Sequence, residues 1–207
     1  LHDIRNPLSA LRSRVELLRL NHCDESYFNE AIQKINSDIT RMEMLAAEFL
    51  DYARGEIRLE MSICSLDHLF ARFTESIQQK AERCGVSISV SNTVDRPVVL
   101  DENRILRALI NAGENACKAM PSGGDLRLRA SCSGDFLVIE IEDSGTGMSS
   151  EVLSHIFEPF YSASASGGTG LGMLIIKSIV DAHKGTVSLI SEEGRGTTVT
   201  LSLPLLS

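Results

Sequence analysis

The first apolar residues of the chain, Leu1, Ile4, Leu8, Leu11, Val15 and Leu18, fall at alternating steps of three and four. That spacing marks a coiled-coil seam, narrower than the apolar face of an ordinary amphipathic helix. After the polar stretch NHCDES a second series, Phe28, Ile32, Ile35, Ile39, Met42, Leu45, Phe49 and Tyr52, continues it with one extra three-residue step. Two such helices joined by a short polar turn form an antiparallel hairpin. A lone hairpin exposes its seam, so pairing with a second copy into a four-helix bundle is the expected arrangement. Packing onto the second half of the same chain is the alternative.

Gly55 ends the second helix and the period then changes. IRLEMSI reads as a strand, and Ser65 as the cap of a helix LDHLFARFTESIQQKAERC. VSISVSN alternates as a strand, RPVVL follows, and a helix is expected from about Glu102 to Met120. DLRLRAS and FLVIEIED form a hairpin around CSGD, a helix covers MLIIKSIVDAH, and GTVSLIS with TTVTLSL closes the chain as a second hairpin. The expected fold class is α+β. Residues 1–56 form the helical hairpin of a dimeric four-helix bundle, and residues 57–207 an α/β sandwich with a mostly antiparallel sheet.

Composition narrows the function. No apolar run approaches the roughly 18 residues that span a bilayer. A net charge of −8 argues against binding nucleic acid or an anionic membrane surface. The five cysteines, Cys23, Cys64, Cys84, Cys117 and Cys132, contain no CxxC pair, which suits a reducing cytosol better than a disulfide framework or a zinc site. His22, His68, His155 and His183 show no metal-ligand spacing and read as structural or surface residues. Because the chain starts inside a seam, an upstream region carrying any sensor or membrane anchor is expected outside this sequence.

Three motifs in the second half carry chemistry. NAGEN sets Asn111 and Asn115 on one helix face, where paired amides suit Mg2+ and phosphate oxygens or else a solvated surface. DSGTGM puts Asp143 at a strand end beside Gly145 and Gly147. There a carboxylate can accept from an exocyclic amino group, or simply close an Asx turn. SGGTGLGM places glycines just before a helix, which suits phosphate. It lacks the GK[ST] of a Walker loop and the βαβ context of a Rossmann fingerprint. The intervening FEPFYSASAS reads as a mobile lid with an aromatic anchor, or as a plain surface loop. At the other end of the chain, Pro7 denies the carbonyl of Asp3 its helical partner and bends the helix one turn beyond His2. His2 itself lies one step past the seam, on the side of the bundle.

In this order and spacing the motifs resemble the core of a sensor histidine kinase from a two-component system, over essentially the whole chain. HDIRNPL is similar to the H box, NAGENACK to the N box, DSGTGM to the G1 box, FEPF to the F box and GGTGLGM to the G2 box. HKGTVSLISEEGRGTTVTLSLP is similar to the terminal strands of the family. The resemblance implies a dimerisation and phosphotransfer hairpin followed by an ATP-binding domain of the Bergerat (GHKL) fold. It further implies a homodimer, ATP and Mg2+ as cofactors, and the receiver domain of a response regulator as partner. His2 is cast as the phosphoacceptor, Asp3 as the group that orients its ring or takes its other proton, and Asn6 as the residue that places water to dephosphorylate the regulator. Asn115 is implied to hold Mg2+ with Asn111 nearby, and Lys118 to meet phosphate oxygens. Asp143, Gly145 and Gly147 would read adenine, Phe160 would anchor the lid, and Gly168, Thr169, Gly170, Leu171 and Gly172 would receive the phosphates.

Two departures stand out. YSASASGG carries no basic residue where many relatives have one that meets the terminal phosphate, and Met173 replaces the usual leucine. The first makes Lys118 the candidate substitute. It also leaves open a degenerate kinase-like dimer that acts as a phosphotransfer or scaffolding module without ATP-driven transfer, alongside a Bergerat ATPase or serine kinase without histidine chemistry.

Overall fold

The alternating stretches of the second half pair into a sheet whose one face is apolar. The computed structural model describes residues 12–13, 15–16, 28, 31–36, 39, 58–159, 161 and 170–205. The chain divides into two compact units, and residues 56–163 with 170–207 make up the second. In the first unit every described residue is helical. Most of the expected hairpin, including NHCDES, lies outside the described residues. Four of its seam residues, Val15, Phe28, Ile32 and Ile39, are exposed in the single chain.

The second unit opens with β1 (Ser62–Cys64) and α1 (Leu66–Cys84), followed by β2 (Val86–Asn92), β3 (Val98–Leu100) and α2 (Glu102–Ala119). Then come β4 (Gly124–Ser133), β5 (Phe136–Asp143), α3 (Ser150–His155), α4 (Gly172–Ala182), β6 (Thr186–Glu192) and β7 (Gly196–Pro204). The main sheet has the order β2-β4-β5-β7-β6, parallel between β2 and β4 and antiparallel elsewhere. Leu128 lies opposite Ile141, and Ile139 opposite Leu201, so the inward positions of three strands form one buried surface. Helix α2 packs against β5 and β7, α4 against β6 and β7, and α1 against β2 and α2, burying Leu69, Phe70, Phe73 and Ile77, whose spacing of one, three and four is a helical stripe. The outer face is polar, with Arg127 opposite Glu142 and Arg129 opposite Glu140. This is the expected α/β sandwich with a mostly antiparallel sheet.

The differences from expectation have local causes. IRLEMSI was expected to be a strand, but the ladder covers only Ser62–Cys64 and residues 58–61 lie outside it. Its partner β3 is three residues long, starting after Pro97, which has no N–H to donate. Ser65 holds the N-cap position in extended conformation, yet its side chain makes no capping bond. Helix α3 was not foreseen, because six residues are too short to show a period. Its cap, Ser149 Oγ accepting from Val152 N–H at 3.3 Å, is the signal that could have revealed it.

A buried polar knot ties the start of α2 to the end of α4. Asp101 caps α2, its Oδ1 accepting from Arg104 N–H at 3.0 Å and its Oδ2 from Glu60 N–H at 2.9 Å. The N–H of Asp101 donates to His183 Nε2 at 3.1 Å, while His183 Nδ1 lies 2.8 Å from the carbonyl of Ile179. A carbonyl only accepts and an N–H only donates, so His183 is neutral with its proton on Nδ1. His183→Ala should destabilise the chain by about 2–4 kcal/mol in a denaturant titration, through a cavity and an unpaired buried N–H.

Candidate functional site

The site is built on the last two turns of α2. Asn111 and Asn115 are four residues apart and share a face of that helix. A Cβ placed on Gly172, the first residue of α4, would lie 3.5 Å from Asn115 Nδ2 and 3.8 Å from both Asn115 Oδ1 and Asn111 Oδ1. Both amides therefore face the N-terminus of α4. That helix has no acidic residue in its first turn and no side-chain cap, and Gly170, at φ +66°, bends the chain into it through buried Leu171. A helix N-terminus of this kind favours negative charge.

Asp143 ends β5 and is only 8% exposed. Its Oδ1 accepts from Gly145 N–H at 2.9 Å, and the backbone of Thr197, its partner across the ladder, also donates to the carboxylate. Burial pushes its pKa above the ordinary carboxylate value, and these two backbone donors offset part of the rise. A carboxylate has about four acceptor sites, so capacity remains for a further donor.

The turn that follows is fastened on two sides. Thr146 N–H donates to the carbonyl of Ala119 at 3.0 Å, binding it to the end of α2. Gly194 N–H donates to Thr146 O at 2.8 Å, and Met148 N–H to Ser191 Oγ at 2.9 Å, binding it to the β6–β7 hairpin. A Cβ on Gly145 would come within 2.7 Å of the carbonyl oxygen of Ala119 and 2.8 Å of Asp143 Oδ1, so only glycine lets the turn lie this close. Gly147, at φ +64°, meets the backbone of Glu192 in the same way.

The structure thus brings Asn111, Asn115 and Gly172 together, and sets Asp143, Gly145 and Gly147 on the end of the same helix. Lys118 lies between them, exposed in the last turn of α2. His2, Asp3, Asn6, Phe160, Gly168 and Thr169 lie outside the described residues. Thr197, Ser191 and the Ala119 carbonyl were missed in the sequence. Thr197 and Ala119 act through backbone groups and Ser191 through a hydroxyl on the β6–β7 hairpin, and GRGTT in the terminal strands pointed to Thr197 alone.

The residues present suit a magnesium nucleotide. Asp143 can accept from an amino group of a base, and the amide oxygens of Asn111 and Asn115 are the hard neutral donors that Mg2+ takes beside phosphates and water. Among the described residues no cluster of three His, Cys, Asp or Glu could hold a metal. Cys64, Cys84, Cys117 and Cys132 are free, and no helix of the described residues is long and apolar enough to cross a membrane.

Residues 100–207 match the family of histidine kinase-, DNA gyrase B- and HSP90-like ATPases, over more than half the chain. The chain belongs to this ATPase family. Residues 1–58 match the His Kinase A (phospho-acceptor) domain, and the two domains in this order make a sensor histidine kinase core. The chain is 32% identical over 213 residues to the sensor histidine kinase YclK of Bacillus subtilis, covering 99% of itself and 45% of that protein. With sporulation kinase B of the same organism it shares 30% identity over 205 residues, covering 98% of itself and 47% of the relative. It therefore spans under half the length of these relatives.

Among solved structures, the Acinetobacter baumannii histidine kinase AdeS superposes with a TM-score of 0.81 at 21% identity, covering 100% of this chain and 99% of that one. Full-length ShkA in complex with AMPPNP gives 0.78 at 24% identity, covering 100% and 44%. ThkA in complex with the response regulator protein TrrA gives 0.77 at 22%, covering 99% and 59%. The GHKL-type ATPase fold expected from the sequence is the fold of this histidine kinase core.

Proposed function

We propose that the chain autophosphorylates His2 from ATP, passes the phosphoryl group to an aspartate of a response-regulator receiver domain, and also dephosphorylates that regulator. The strongest support is the convergence of a buried acceptor, Asp143, and two amides facing a helix N-terminus, Asn111 and Asn115 at Gly172, on one helix of an ATPase-family domain. The phospho-acceptor match over residues 1–58 supports the histidine chemistry. The response regulator in the complex with ThkA supports the choice of partner.

In this reading residues 1–56 are the dimerisation and phosphotransfer hairpin and 57–207 the catalytic domain. Exposure of the seam residues Val15, Phe28, Ile32 and Ile39 supports a homodimer, which would cover them. ATP supplies the phosphoryl group, and Mg2+ neutralises its charge. Asp143 accepts from the adenine amino group while Gly145 and Gly147 give the ring room. Asn115 and Asn111 hold the metal, Lys118 meets phosphate oxygens, and Gly168, Thr169, Gly170, Leu171 and Gly172 line the phosphates under a lid anchored by Phe160. His2 attacks through an unprotonated nitrogen while Asp3 orients the ring, and Asn6 positions water for the reverse task. The dependence on ATP and a cysteine pattern without a CxxC pair support a cytosolic location for this region.

Transfer of label from γ-labelled ATP tests the proposal. An acid-labile, base-stable product is expected, and its absence would leave the degenerate scaffold. Asn115→Ala should raise the Mg2+ concentration needed for half-maximal labelling by at least about tenfold, with a matching loss of Mg-ATP affinity in calorimetry.

A further inference from the structure

Asn111 and Asn115 belong to a longer row. At 3.6 residues per turn, Arg104, Arg107, Asn111, Asn115 and Lys118 fall along one stripe of α2. Arg104, Arg107, Asn111 and Asn115 are partly exposed and Lys118 is exposed, while Ile105, Ala108, Leu109 and Ala112 on the adjoining faces are buried. The stripe is cationic at both ends, with two amides in its middle.

The row has a direction. The turn carrying Asp143 is fastened to Ala119 at the C-terminal end of α2. A nucleotide with its base at Asp143 and its phosphates at Asn115 and Asn111 therefore extends toward the N-terminal end of the helix. The next side chain on that path is Arg107, one turn and about 6 Å of rise past Asn111. Lys118 stands at the opposite end of the row, about 16 Å from Arg107 along the axis, beside the base turn. The sequence leading into α4 adds no cation, since Tyr161 to Gly170 read YSASASGGTG without a lysine or arginine.

We propose that Arg107 binds the terminal phosphate of ATP and gives the site its preference for ATP over ADP, the task otherwise left to Lys118. This rests on the nucleotide-binding reading above. A guanidinium is always charged and offers a planar fork of donors that fits phosphate oxygens. ADP ends one phosphate short of it, so Arg107 separates the two nucleotides by a contact that only one of them can make.

The test uses the 207-residue chain with Mg2+ and calorimetric dissociation constants for ATP and ADP, in wild type, Arg107→Gln, Arg107→Lys and Arg104→Gln. Arg107→Gln should weaken ATP roughly 10- to 100-fold, the scale of a lost charge-assisted hydrogen bond, and leave ADP within about twofold. Arg107→Lys should recover part of the ratio, because it keeps the charge and loses the fork. Arg104→Gln, further along the row, should leave the ratio unchanged. Melting temperatures accompany each variant, and if Arg107→Gln melts early the ratio in Arg107→Lys decides. Equal weakening of ATP and ADP, or an unchanged ratio, overturns the proposal even where wild type binds both nucleotides. A wild type that binds neither overturns the nucleotide reading and this inference together.

Discussion

His2→Gln should abolish phosphoryl incorporation from γ-labelled ATP while leaving ATP affinity as it is in wild type. An imidazole nitrogen carries a lone pair free to attack phosphorus, whereas the nitrogen of a glutamine amide is delocalised and non-nucleophilic. Removing a nucleophile outright costs on the order of a thousandfold or more, so the label should fall below detection. Asn111, Asn115, Lys118, Asp143, Gly145, Gly147 and Gly172 all belong to the other unit of the chain, which is why binding should survive. Autoradiography after acid and alkaline treatment, with calorimetry in parallel, gives both readouts. Label that persists in the variant, stable to acid, would instead indicate a serine or threonine acceptor and remove histidine chemistry from this protein.

Asp143→Asn should cost ATP affinity by roughly 10- to 100-fold or more while the fold persists. The carboxylate only accepts, and the amide that replaces it can turn an N–H toward the amino group of the base, setting donor against donor in a buried place. Stability should move the other way. Burial raises the pKa of Asp143, so the folded chain binds more protons than the unfolded one between the ordinary carboxylate pKa and the raised value. Stability contributed by this residue therefore declines as pH rises through that window, and a neutral amide removes the decline. Nucleotide affinity has the opposite slope, since protonation takes away an acceptor. In wild type it should fall on acidification before the ordinary carboxylate range is reached. Thermal melts and ATP titrations across pH, on both proteins, separate the two effects. Wild-type ATP affinity in Asp143→Asn would exclude this carboxylate as the base acceptor.

Much of the architecture was readable beforehand. VSISVSN and FLVIEIED coincide with β2 and β5, and the helix from Ser65 ends where Gly85 turns left-handed. These elements have strong periods and local punctuation, so neighbouring residues alone specify them. IRLEMSI failed as a full strand because a strand needs a partner of its own length, and none lies within reach in sequence. The parallel pairing of β2 with β4 was not legible for the same reason.

The candidate site divides along the same line. Asn111, Asn115, Asp143 and the glycines announce themselves by residue type at fixed spacing, and spacing on a helix or in a turn is a property of the local chain. The sequence by itself determined which groups could meet a nucleotide, and in what order they occur. Only the tertiary structure decided that both amides face Gly172, that Thr197 and Gly145 share the carboxylate of Asp143, and that Ala119 anchors its turn. Apart from the Gly145 bond within the turn, those contacts join residues dozens of positions apart. They depend on how the helices settle on the sheet, which is set by the packing of the whole core rather than by any stretch of sequence.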